Sequence, residues 1–171
     1  MSERGADHSE PVWESGGVLR WGLRESLRTY VESLPGGEIE VLDGAQRLAS
    51  GAFAFPLSPA SAGQDDLDKP LDFDGAVRLT GYNGLMRIEF AQPRLESDGE
   101  LVTLSVLDSL DEALAERIPF ATSLASSLWL TGPTRRTANA VNLTSAGAAL
   151  LGDVYTEGSL MDSWTMTLFT R

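Results

Sequence analysis

Between Leu71 and Leu107 apolar residues recur at period two in several short runs, and two tight-turn pairs, Asn83-Gly84 and Asp98-Gly99, separate them. Period two places alternate side chains on one face of a strand, and both pairs favour the backbone of a short hairpin turn. The stretch therefore reads as consecutive antiparallel strands. Residues 71–82 form the first, with a bulge at Asp74-Gly75. Met86, Ile88 and Phe90 mark the next. Residues 94–96 and 101–107 flank the second turn, with Val102, Leu104 and Val106 on one face. Further strands are predicted at 38–42, 52–55, 121–131 (carrying Trp129), 138–143, and in a last segment with Trp164, Met166 and Leu168. Residues 108–118 also suit a short helix.

Two segments follow helical spacing instead. Residues 18–34 read as a long amphipathic helix, with Leu23, Leu27, Tyr30, Val31 and Leu34 on one stripe, stopped by Pro35-Gly36-Gly37. Thr144-Ser145 caps a short helix that runs through Leu151 and ends at Gly152. The predicted fold is mainly β: an antiparallel sandwich or open barrel of about seven to ten strands, with the long N-terminal helix and the short C-terminal helix packed against it. Residues 1–16 read as a polar tail, 58–70 as a loop, and 17–171 as one domain. Trp21, Trp129 and Trp164 are the expected aromatic core, with Met86, Met161 and Met166 as filler.

Composition removes several function classes. The chain has no cysteine, so disulfides, thiolate metal sites and cysteine nucleophiles are absent. Its one histidine, His8, lies in the polar tail, which leaves no inventory for a Ser-His-Asp triad or a histidine-rich metal site. A formal net charge of −12 opposes nucleic acid, and any bound anion needs local arginines. The run Asp65, Asp66, Asp68, Asp72 and Asp74 fits no defined calcium loop and reads as a solvated edge. No stretch approaches the ~20 apolar residues of a membrane span. The opening residues lack the basic flank and apolar run of a signal peptide, so a cytoplasmic protein is expected unless a signal has been removed.

Ser26 and Tyr30 stand four apart, on one flank of the predicted helix. A hydroxyl and a phenol there either close a core by hydrogen bonding or present oxygen to a bound group. The residues alone leave both open.

Four blocks together resemble the HtaA domain of actinobacterial haem-uptake proteins. Trp21-Gly22…Ser26…Tyr30 is similar to that family's opening segment. Gly44-Ala45 through Gly51-Ala52-Phe53-Ala54-Phe55-Pro56 resembles the second block, and Phe73-Asp74-Gly75 through Gly81-Tyr82-Asn83-Gly84 the third. Leu143-Thr144-Ser145-Ala146-Gly147 through Tyr155-Thr156-Glu157-Gly158 and Leu160 to Asp162 resembles the closing block. The resemblance implies a non-enzymatic protein that binds, buffers or traffics ferric haem. It implies Tyr30 as the axial iron ligand, Ser26 against the haem, and Tyr155 flanking the macrocycle.

Two positions depart from the family pattern. Val154 stands where a phenylalanine is expected, which removes an aromatic wall. Tyr82 stands where the family carries a histidine that hydrogen-bonds to the axial tyrosine. A phenol has an ordinary pKa of about 10, and Tyr82 offers no base to take its proton. The Tyr82 hydroxyl can instead donate to a phenolate, and Arg24 or Arg28 can stabilise it electrostatically. Two other readings remain: a relative that has lost haem and holds another apolar molecule or a protein partner, and an enzyme using a buried tyrosine as general acid beside Glu25 or Asp153.

Overall fold

The computed structural model describes residues 16–64, 66–132 and 134–169. Asp65 and most of the predicted tail, including His8, lie outside the described residues. The chain runs β1 (Gly17–Trp21), α1 (Glu25–Ser33), β2 (Glu38–Leu42), β3 (Gln46–Arg47), β4 (Phe53–Pro56), β5 (Leu71–Asp72) and β6 (Ala76–Gly81). It continues through β7 (Met86–Ser97), β8 (Leu101–Leu107), β9 (Arg117–Leu124), β10 (Trp129–Thr131), β11 (Arg135–Ala138) and β12 (Val141–Leu143). Helix α2 (Ser145–Leu150) and strands β13 (Leu160–Met161) and β14 (Trp164–Leu168) complete it. The strands form two antiparallel sheets. One has the order β10-β11-β14-β1-β4-β3, the other β13-β12-β9-β8-β7-β6-β2 with β5 on β7.

The predicted hairpins are present. β6 pairs with β7 from Ala76↔Ala91 to Gly81↔Met86, and β7 with β8 across the Asp98-Gly99 turn. Asp98 accepts hydrogen bonds from the backbone of Glu100 and Leu101, which fixes that turn. Thr144 caps α2 by accepting from the Gly147 amide at 2.8 Å. Between the sheets, the Phe120 ring meets Trp21 and Phe90 edge-on, at centroid distances of 5.4 Å to each. Trp21 and Trp164, opposite each other on β1 and β14, are fully buried. Each such aromatic removes a large apolar area from water, a term of several kcal/mol.

The long N-terminal helix is a correction. Residues 17–21 are a strand and the helix that follows has only nine residues. Leu19 and Trp21 fit period two as well as a helical stripe, and β1 gains strand partners on both edges, β14 and β4. Two full ladders satisfy its backbone groups in the core, which outweighs the local helical preference. Leu23 then turns the chain with a left-handed φ of 64° before α1 begins.

Other segments also divide. The expected strand 71–82 breaks at 73–75, so the bulge separates β5 from β6. Residues 121–131 split at a 3-10 turn (Ala125–Ser127), and β9 and β10 join different sheets. Residues 138–143 split likewise between β11 and β12. Residues 108–116 carry turns and no helix. Trp129 is not core: it lies on the edge strand β10, 66% exposed. Met161 and Met166 are buried as filler, whereas Met86 is only half-buried.

Candidate functional site

Helix α1, the turn joining β6 to β7, and the chain leaving α2 meet around a cleft of about 340 Å³. Leu27 and Tyr30 supply one wall, Leu85, Met86 and Ile88 another, and Leu150 and Val154 a third. The lining is mostly apolar, and the volume lies within the range of small-molecule sites. Leu85 is 92% exposed and Val154 60% exposed, so the cleft has an apolar, solvent-facing rim.

The register of α1 decides what faces the cleft. Leu27, Arg28 and Val31 are buried, which turns Ser26 and Tyr30 outward on a neighbouring flank. Tyr30 is therefore not a core phenol. The loop after α1 packs onto the β6–β7 turn. A Cβ at Gly36, where φ is +66°, would stand 2.5 Å from the Asn83 side-chain oxygen, and one at Gly81 would stand 2.6 Å from Leu34. These close approaches hold the turn against the end of the helix. Tyr82 and Asn83 are both left-handed there, with φ of 52° and 56°. A bulky residue adopts that region rarely, and such strain gathers at functional positions.

The two phenols consequently meet. Interaction with the Tyr82 hydroxyl, with a lesser contribution from desolvation, raises the Tyr30 pKa above its ordinary value. Tyr30 is thus a protonated phenol at neutral pH, and its neighbour is another phenol rather than a base.

Ser26 and Tyr155 form a second contact at the same flank. Their hydroxyl oxygens are 2.6 Å apart. The Arg24 guanidinium lies over the Tyr155 ring, 4.7 Å from its centroid, and its Nε donates to Ser26 Oγ at 3.0 Å. Of the residues singled out by resemblance, Tyr30 and Val154 line the cleft, Tyr82 interacts with Tyr30, and Ser26 and Tyr155 contact each other.

Asp162 ties α1 into place. One carboxylate oxygen accepts from the Glu25 amide at 3.1 Å, and the other pairs with Arg28 at 2.7 Å. Arg28 also donates to the Gly22 carbonyl at 2.6 Å, while the Trp21 indole N–H donates to the Asp162 carbonyl. Arg24, at the N-cap position, makes no side-chain cap, so Asp162 from the far end of the chain satisfies one of the helix's open amides. Gly22 is required by space, because any Cβ would run into the Arg28 guanidinium and the Asp162 carboxylate. Of the two arginines considered as neighbours of Tyr30, Arg28 is committed to Asp162 and Arg24 to the Tyr155 cluster.

The HtaA family model, described as Htaa, matches residues 16–167. The chain belongs to the HtaA family. Solved structures agree in fold. The N-terminal domain of HtaA from Corynebacterium glutamicum aligns with a TM-score of 0.70 at 21% identity, covering 94% of this chain and 100% of that one. The heme-binding protein HtaB from the same organism aligns at 0.68 and 21%, covering 91% and 93%. The C-terminal domain of HtaA gives 0.67 and 20%, covering 89% and 94%. No curated protein matches the chain.

In this HtaA-family chain, sequence reasoning named Tyr30 and Val154 of the lining and missed Leu85, Leu150 and the anchoring role of Asp162. Leu85 carries a local signal of its own, as an apolar residue directly after a turn.

Proposed function

We propose that this HtaA-family protein binds ferric haem in the cleft, with Tyr30 as the axial ligand and Tyr82 as its hydrogen-bonding neighbour. The observation that carries the reading is a solvent-accessible phenol on an apolar cleft, held beside a second phenol, in a family whose solved relatives include a protein named for heme binding. A hard phenolate oxygen suits a ferric centre better than any other side chain in the lining, and the apolar walls suit a flat macrocycle. Bound haem supplies a ferric iron that accepts an oxygen ligand. Tyr30 would hold the iron through its phenol oxygen, Tyr82 would be the hydroxyl beside it, and Leu27, Met86 and Ile88 would shield the bound face from water.

An absorbance titration with ferric haem tests this. Saturable one-to-one uptake with a phenolate charge-transfer band is expected; a featureless, non-saturating response would sink the reading and favour a domain that holds some other apolar ligand.

The identity of residue 82 sets the strength of the site. Tyr82→His introduces a group that both accepts the phenol's proton and orients the oxygen, and second-layer partners typically change metal affinity by about 10- to 100-fold. Haem affinity, measured by competition with a haem-binding protein of known affinity, is expected to rise about tenfold. An unchanged or weakened affinity would show that position 82 does not act through Tyr30.

A further inference from the structure

The cations around the cleft are not equivalent. Arg28 is buried and neutralised by Asp162. Arg87 lines the cleft, but its Nε is held at 2.8 Å by the Glu89 carboxylate, which Arg78 shares. Arg24 differs from both. Among the described residues no carboxylate pairs with it, in a chain carrying 25 acidic side chains against 13 basic ones. Its Nε and one terminal nitrogen are occupied by Ser26 Oγ and the Leu160 carbonyl, and its guanidinium carbon lies over the Tyr155 ring. The second terminal nitrogen has no partner among the described residues. Stacking and two hydrogen bonds fix the guanidinium before any ligand arrives, which spares much of the side-chain ordering that binding otherwise requires. Ser26 lies one helical turn from Tyr30, about 6 Å along the flank.

We propose that Arg24, together with the Ser26–Tyr155 hydroxyl pair, is the carboxylate receptor of the cleft and makes it select macrocycles that carry acid side chains over neutral ones. The inference rests on the haem reading above and assigns it a specificity residue. A carboxylate reaching this flank meets an already oriented guanidinium edge and one hydroxyl proton, the other being held between Ser26 and Tyr155. The same carboxylate at Arg87 would have to share its cation with Glu89. Charge-assisted hydrogen bonds of this kind are the strong ones, and they vanish when the acid is esterified.

The test compares ferric haem with its dimethyl ester on wild type, Arg24→Gln and Arg24→Lys, each titrated by absorbance. Arg24→Gln is expected to weaken haem by about tenfold or more and the ester by less than about twofold, with Arg24→Lys intermediate for haem. Equal losses on both ligands would show that Arg24 acts only by supporting Tyr155, and no loss on either would remove it from the site; both overturn the proposal. Absence of saturable binding of either ligand by wild type is a different failure, that of the haem reading itself. Circular dichroism spectra matching wild type confirm that the variants are folded.

Discussion

Replacing Tyr30 by phenylalanine is expected to leave the fold intact and to weaken ferric haem binding by at least about 100-fold. The two halves of this expectation have separate grounds. The change removes one oxygen from a side chain that is 39% exposed and belongs to no core contact set, so the stability change should stay within about 0.5 kcal/mol. Loss of a ligand to the metal exceeds the loss of a partner in the next layer, hence a figure at or above the upper end for such partners. Tyr82 cannot fill the vacancy without moving, because its backbone is locked in the β6–β7 turn against Gly36 and Leu34. A thermal melt and a haem titration on one sample read both halves. A variant that binds as tightly as wild type would assign the ligand elsewhere.

The second large effect concerns the anchor of α1. Asp162→Ala leaves Arg28, a buried guanidinium, without its carboxylate, and frees the Glu25 amide at the helix start. Breaking one member of a buried ion pair typically costs about 3–5 kcal/mol. The Asp162 side chain is 31% exposed, and solvent screening puts this case near the lower end. For a chain of this size about 3 kcal/mol corresponds to a fall in Tm of roughly 6–12 °C. Removing both partners, as in Arg28→Met with Asp162→Ala, should lose less than the sum of the single changes, since no unpaired charge remains buried. A calorimetric double-mutant cycle measures this; strict additivity would mean that the pair is only a neighbourhood. Because α1 carries Ser26 and Tyr30, the same anchor holds both clusters of the cleft.

The parts of the fold that were legible had local causes. The β6–β7 and β7–β8 hairpins were readable because period two and the Asn-Gly and Asp-Gly pairs agree over a short span. Helix α2 was readable because Thr144 caps it and Gly152 ends it. The misreadings have remote causes. Residues 17–21 satisfy helical and strand spacing alike, and only their pairing with β14 and β4 decides between them. The division of 121–131 depends on a turn made of Ala125, Ser126 and Ser127, which carries neither glycine nor proline. Trp129 is large and apolar yet sits on a sheet edge, a placement that only the strand order reveals.

The site divides in the same way. The candidate tyrosines and Ser26 were named through the blocks they belong to. The cleft between them is assembled from three segments far apart in sequence, so no window of sequence contains it. Asp162 acts across 137 positions on the Glu25 amide, and the stacking of Arg24 on Tyr155 likewise needs the closing segment to return to α1.

The central claim is that the Tyr30 oxygen, and not that of Tyr82, is the iron ligand. Resonance Raman spectroscopy of the ferric haem complex tests it most directly, because phenolate vibrations are enhanced only when the phenolate is bound to iron. Wild type and Tyr82→Phe are predicted to show these bands and Tyr30→Phe to lack them. Bands that survive in Tyr30→Phe and disappear in Tyr82→Phe would contradict the account and transfer the ligand to the turn.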